Sequence, residues 1–274
     1  MLLINDNVAA LGAENNLDAT DTAMQNVVGQ LSSGLQIQTA ADNPAGYSIA
    51  QSLQSEINGY GAAESNAQTA VSVLQTAQGA INQQEAILQQ ANTIATQAAN
   101  TTTDNGTANA ADTQEFNSLV AQLDQIAQST TFAGVSLLNT GSTLTFQVGP
   151  DVSSADTVSV SLANTGASAL AVSGLSLNSV ASATAAMTAV QTAINTLASA
   201  AASLGSSQNQ IQALSNNVTV AQQNLTSAHA DLVDVNVANA TSQFTSLQIL
   251  EQSGISVLSQ AQQLPQLALK LISG

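Results

Sequence analysis

Two stretches of the chain repeat apolar residues every seven positions. Between Ala45 and Asn100 the series is Leu53, Tyr60, Ala67, Leu74, Ile81, Leu88 and Ala95, with Ala63, Ala70, Ala77 and Ala91 each three residues after a member. That spacing keeps the apolar positions on one stripe of a helix, so it predicts a long helix in need of a partner. A second stripe one position earlier, Val73, Ala80, Ile87 and Ile94, widens the apolar face and predicts more than one neighbour. A bundle follows. The second series is Val190, Leu197, Leu204, Ile211, Val218, Leu225 and Leu232. Its length matches that of the first, so the two helices are expected to pair.

The ends carry stripes too. Leu17, Met24, Val28, Leu31 and Leu35 form one, with Ile4, Val8 and Leu11 continuing it out of register; Phe244, Leu247, Leu250, Gly254, Leu258 and Ala261 form the other, before "QLPQLALKLISG" closes the chain. Terminal segments fray unless something holds them. Each stripe therefore needs a partner: the other terminus, another copy, or both. Both ends are expected to be disordered in a lone subunit.

The remaining stretches break the helical period. Residues 101–112, "TTTDNGTANAAD", read as a polar loop around Asn-Gly, followed by a shorter helical run through Phe116, Leu119, Leu123 and Ile126. Residues 144–162, "LTFQVGPDVSSADTVSVSL", alternate in period two on either side of Gly-Pro-Asp, which predicts a β-hairpin turning there. Residues 163–180 are rich in Ser, Ala and Gly and read as a connector. In residues 31–53, "LSSGLQIQTAADNPAGYSIAQSL", a helical pattern stops and restarts. Gly34 can end the first helix; Asp42 or Asn43 can cap the next, with Pro44 in its first turn.

Composition narrows the function classes. The 274 residues suffice for one large domain or two small ones. They include 17 Asp plus Glu against one Lys/Arg residue, Lys270, for a formal net charge of −16. Neutralising phosphates takes several Lys or Arg side chains, which argues against a nucleic-acid partner and against an anionic membrane. With no Cys there are no disulfides and no thiolate chemistry. The first residues lack a basic region before an apolar stretch, so no standard secretory leader is expected. No apolar run approaches the roughly 18–20 residues that span a bilayer. Aromatics are 2% of residues, so closely packed Ala-rich helices are expected in place of a core built on large rings.

Candidate chemistry is sparse. His229 is the single histidine, with Asp231 and Asp234 near it in sequence. A metal site needs three or four converging ligands, and here only carboxylates could join that one imidazole. A Ser-His-Asp arrangement would place the His on a long amphipathic helix with no nucleophile elbow. Phosphate-binding glycine loops are lacking as well. No enzyme, metal or cofactor is expected. Asn-X-Ser/Thr strings at Asn100 and Asn217 are what chance gives in an Asn- and Thr-rich chain.

Four strings, in order, carry a resemblance: "LSSGLQIQTAADNPAGYSIA", "TTFAGVSLLN", "NLTSAHADL" and "LQILEQSGISVLSQAQQLPQLALKLIS". They resemble the bacterial flagellins, subunits of the flagellar filament. The resemblance implies a mainly α fold: a long antiparallel helical bundle or coiled coil with a small β-hairpin, its terminal helices forming an inner coiled coil on assembly. It implies an N-terminal inner-tube helix and spoke start over 1–42, outer-bundle helices and hairpin over 43–180, the second outer helix over 181–234 and a C-terminal inner-tube helix over 235–274. Outer domains of larger members would be inserted at 163–180, where this chain has room for none.

The same resemblance implies self-polymerisation, outside the cell, through Ile4, Val8, Leu11, Leu17, Leu247, Leu250, Leu258, Leu264, Leu267 and Leu271. Implied partners are an export chaperone, the filament cap and the hook-junction proteins. Many members present an Arg, a Leu and a Glu to an innate immune receptor, at positions corresponding to Gln90, Ile94 and Glu115. Basic residues usual in the family are replaced at Gln36, Ala41, His229 and near Asp231. That puts the usual inter-subunit salt bridges in doubt and leaves apolar packing and amide hydrogen bonds, about 0.5–1.5 kcal/mol each. Two other readings are a hook-filament junction protein, which shares the terminal-helix logic, and an extracellular coiled-coil adhesin, which would form a closed oligomer.

Overall fold

A computed structural model describes residues 7–100 and 106–273, with side chains outside 106–108 and up to residue 263. Five α-helices dominate the described residues: α1 (Val8–Ser33), α2 (Pro44–Ala98), α3 (Gly106–Ser129), α4 (Val180–Val233) and α5 (Val237–Ser273). Two antiparallel hairpins lie between α3 and α4 in sequence, β1 (Thr131–Phe132) with β2 (Val135–Ser136), and β3 (Thr143–Gln147) with β4 (Thr157–Ser161). Two compact units divide the chain, residues 1–55 with 224–274 and residues 56–223. Both α2 and α4 contribute residues to each unit.

Neutral side chains start the helices. The Asn7 Oδ1 accepts the Ala10 amide at 3.1 Å to cap α1, and the Asn236 Oδ1 accepts the Asn239 amide at 3.1 Å to cap α5. At α4, Ser179 and Ser182 cap reciprocally: each hydroxyl accepts the other's backbone N–H, at 3.0 and 3.2 Å. Such caps satisfy first-turn donors without charge. They suit a chain with almost no basic residues to balance more carboxylates.

In the unit of residues 56–223, the heptad series form the core. Ala67, Leu74, Ile81, Leu88 and Ala95 of α2 are buried with Val190, Leu197, Leu204 and Ile211 of α4 and Phe116 and Leu123 of α3. The second stripe, Val73, Ile87 and Ile94, is buried as well. A groove lined by Ile87 and Gln90 on one side and Gln122 and Ile126 on the other shows α2 alongside α3. Direction follows from the contacts of α2 with α4. The Gln222 Nε2 donates to the Ile57 carbonyl at 3.4 Å, while Glu64–Val71 faces Gln212–Thr219. One index rises as the other falls, so the helices are antiparallel.

Three local readings are corrected by the structure. Helix α3 begins at Gly106, inside the stretch read as loop, and its Thr113 hydroxyl bonds back to the Asn109 carbonyl at 2.8 Å. The hairpin of β3 and β4 pairs Gln147 with Thr157, so its connection is the whole of 148–156 and not a tight Gly-Pro-Asp turn. That loop folds back on α2: a Cβ at Gly59 would come within 2.9 Å of Pro150, and the Asn66 amide donates to the Gln147 carbonyl at 3.1 Å. Residues 163–177 are no mere connector, because Thr165, Ala167, Leu170, Val172 and Leu177 are buried in the core.

This strap is held through its backbone. The Thr165 amide donates to the Leu138 carbonyl at 2.8 Å, the Ala167 amide to the Asp124 carboxylate at 3.2 Å, and the Leu177 amide to the Thr113 hydroxyl at 2.9 Å. Gln84, fully buried on α2, donates from Nε2 to the Thr165 carbonyl at 3.3 Å and to the Leu123 carbonyl at 3.2 Å. One side chain thus joins α2, α3 and the strap. Burying irregular backbone requires such partners.

Candidate assembly surface

The break after α1 is built by four devices. Gly34 takes a left-handed conformation, φ 77°, and its N–H donates to the Gln30 carbonyl at 2.9 Å, which closes the helix. Residues 34–36 then pair with 233–235, where α4 gives way to α5. The Gln36 amide reaches the Val233 carbonyl at 2.6 Å and the Val235 amide the Gly34 carbonyl at 2.9 Å. The two helix breaks satisfy each other. Asn43 is the cap of α2, its Oδ1 accepting the Gly46 amide at 2.9 Å. Asp42 instead ties down the loop before it, where its Oδ2 accepts the amides of Gln38 and Thr39, at 3.0 and 2.8 Å. The Thr39 and Gln38 backbone amides hold this carboxyl below its ordinary pKa.

Beyond the break, α1 and α5 run antiparallel. The Asn7 amide group donates to the Ala261 carbonyl at 2.7 Å, and Leu17 meets α5 at Gly254, where a Cβ would lie 3.3 Å from the Leu17 Cδ1. Ala13, Leu17, Thr20 and Ala23 line one wall of the seam between them; Leu247, Gly254 and Val257 line the other. The pair buries little. Only Val27, Ala240 and Ala261 among the described apolar residues of these two helices are fully buried.

Their outer faces remain apolar and open. Val8 is 67% exposed, Leu11 59% and Ile249 62%, joined by Val28, Val237 and Ile255, while Leu250 and Val257 stay half exposed at the seam itself. Among the residues expected to carry assembly, Val8 and Leu11 lie on these faces, Leu250 is exposed but borders the seam, and Leu17, Leu247 and Leu258 are half-buried. Ile4 lies outside the described residues, as do the side chains of Leu264, Leu267 and Leu271. Sequence reading missed Ile249, Ile255 and Val257. They lie beside the assigned stripe, and a pattern search that follows one face passes over the next.

The expected receptor positions do not share one environment. Gln90 and Glu115 are exposed, whereas Ile94 is 8% exposed and belongs to the core. The second stripe of α2 takes Ile94 inward. His229 is half-buried, and among the described residues no three His, Asp or Glu side chains converge as metal ligands. No described helix is long and apolar enough to cross a membrane.

Terminal helices that pair within the chain and leave their outer faces apolar define a self-associating helical building block. Comparison with known proteins names its family. Residues 4–143 match the bacterial flagellin N-terminal helical region and residues 187–272 the bacterial flagellin C-terminal helical region. The flagellin of Bacillus subtilis (strain 168) is 34% identical over 98% of this chain and 99% of its own length. That of Halalkalibacterium halodurans is 31% identical over 99% of this chain and 100% of its own. The crystal structure of Bacillus cereus flagellin shares 31% identity, with a TM-score of 0.50 over 56% of this chain and 88% of that one. The chain belongs to the bacterial flagellin family and is a filament subunit for flagellar motility.

Proposed function

We propose that the chain polymerises through the outer faces of α1 and α5, and that these helices form the inner layer of the filament. The observation that carries this reading is the row of large apolar side chains, half to two-thirds exposed, on both helices. A single exposed apolar residue is ordinary, but several large ones on two paired helices mark an interface. Burying about 300 Å² of apolar surface per subunit would contribute about 7 kcal/mol before ordering costs. The positions expected to take part are Val8, Leu11, Leu17, Leu247, Leu250 and Leu258, extended by Ile4, Leu264, Leu267 and Leu271. In this reading the filament lies outside the cell, and the export chaperone, filament cap and hook-junction proteins meet the same terminal segments.

Seeded elongation tests it. Leu11→Ser with Ile249→Ser replaces two exposed side chains that do not line the seam of the lone subunit, so circular dichroism should keep its helical signal while filament growth on seeds stops. Deleting residues 1–30 or 240–274 should likewise give a soluble, partly helical chain that does not elongate. Filaments of normal length from the double variant or either truncation would refute the assignment. A closed oligomer of fixed size from the parent chain would favour the adhesin reading.

A further inference from the structure

Exposed loops are where proteases nick a folded chain, because a stretch of free backbone must enter the enzyme's cleft. Here the irregular segments among the described residues include 34–43, 133–134, 137–142, 148–153, 162–179 and 234–236. None of them contains Lys, Arg, Phe or Tyr, and the chain has no Trp. All six aromatic residues lie within regular elements: Tyr47 and Tyr60 on α2, Phe116 on α3, Phe132 on β1, Phe146 on β3 and Phe244 on α5. Phe116 is fully buried and the other five are half-buried. Residues 1–269 hold no Lys or Arg. The loops themselves are reachable: Val152 is fully exposed between β3 and β4, and Ser173 is exposed in the strap. Their leucines are not, since Leu137, Leu138, Leu162, Leu170 and Leu177 are buried and Leu35 and Leu175 half-buried.

We propose that composition shields this subunit from two specificity classes of serine protease: those whose pocket holds a carboxylate for Lys or Arg, and those whose pocket is an apolar slot for aromatic rings. A carboxylate pocket that closes on a neutral side chain is left with an unpaired buried charge, a mismatch of the kind that lowers turnover about 10⁴–10⁵-fold. The trypsin class therefore reads the chain at one bond, Lys270–Leu271, whether the chain is folded or not, and its cut removes only Leu271–Gly274. The chymotrypsin class finds its rings only where a helix or strand must first open. Protection lies in what the loops lack and not in how they pack. It is independent of the polymerisation reading, and it suits a chain carried outside the cell among secreted proteases.

Limited digestion of the full chain, followed by measurement of intact mass, tests this. Trypsin should cause at most one change, the loss of Leu271–Gly274. Subtilisin, whose specificity is broad, should nick the loops first, and chymotrypsin should cut the folded chain on the order of tenfold more slowly. The deciding variant is Val152→Lys, which sets one cation at a fully exposed loop position; trypsin should split it after residue 152, while Val152→Gln stays whole. Val152 packs against nothing, so both variants should keep the parent's circular dichroism. If trypsin leaves Val152→Lys whole, geometry protects the loop and the proposal fails. Internal trypsin fragments from the parent, or chymotrypsin fragments that appear as fast as those from subtilisin, overturn it as well.

Discussion

Gln84 offers a measurement in which two opposing physical effects can be separated. Its side chain is fully buried, its Nε2 donates to the Leu123 and Thr165 carbonyls, and its Oε1 has no hydrogen-bond partner. The two donated bonds are worth about 0.5–1.5 kcal/mol each, whereas an unsatisfied buried acceptor costs about 1–3 kcal/mol. In Gln84→Met, an unbranched and apolar replacement, both bonds go but so does the orphaned oxygen. The Leu123 carbonyl keeps its partner four residues on, since α3 continues to Ser129. Only the Thr165 carbonyl is stranded. Gain and loss nearly cancel, so Met should lie within about 1 kcal/mol of the parent. Gln84→Ala strands the same carbonyl and leaves a void among Leu88, Leu123 and their neighbours, at a cost of about 2–5 kcal/mol. Because the chain holds two compact units, the readout is local: hydrogen exchange of the amides between Leu137 and Val172, with urea unfolding beside it. Ala should speed strap exchange by at least an order of magnitude, and Met by little. Equal acceleration in both variants would show that the donated bonds dominate and refute the cancellation.

How much of this was legible depended on whether burial followed a period. The α2 and α4 series were readable because Leu74, Ile81, Leu197 and Leu204 recur with the helix. The strap was not. Leu170, Val172 and Leu177 fall at irregular spacing among Ser, Ala and Gly, and their burial depends on Gln84, Asp124 and Thr113, which are distant in sequence and polar. Composition reports what a segment could bury alone, not what a remote donor makes possible. The break at 34–46 stood between these cases. Gly34 and Pro44 announced it, and the alternative between Asp42 and Asn43 was settled by geometry, one holding the loop and the other the helix. At the assembly surface, Leu11 and Leu250 were legible as a stripe. Ile249 and Ile255 emerged only once the face that α5 turns to α1 was known, because exposure belongs to the packed pair and not to either helix.

Three further outcomes are expected. Gly46→Ala sets a Cβ 2.7 Å from the Ile37 Cδ1 and 2.8 Å from the Asn43 amide, so it should dislodge the cap of α2 and cost about 1–2 kcal/mol; unaltered exchange at residues 45–49 would refute the packing. Gln90 lacks the multi-donor fork of an arginine, so signalling through the innate receptor should be weak and Gln90→Arg should raise it in reporter cells; no gain would count against a role for this exposed position. The last concerns acid. Asp42 has its pKa depressed in the folded chain, so the order it gives residues 38–42 is present above its unfolded pKa and lost only as pH falls through the lower folded value. Acid acts the opposite way on assembly, because neutralising negative charge removes repulsion. A chain with many Lys and Arg would become strongly cationic at pH 3; this one, with one Lys and one His, approaches neutrality. Filaments should therefore still sediment at pH 3, with faster exchange confined at first to the Asp42 loop. Sedimentation from pH 2 to 11 decides the matter: dissolution at pH 3 with persistence at pH 10 would refute this expectation and favour adaptation to alkaline surroundings.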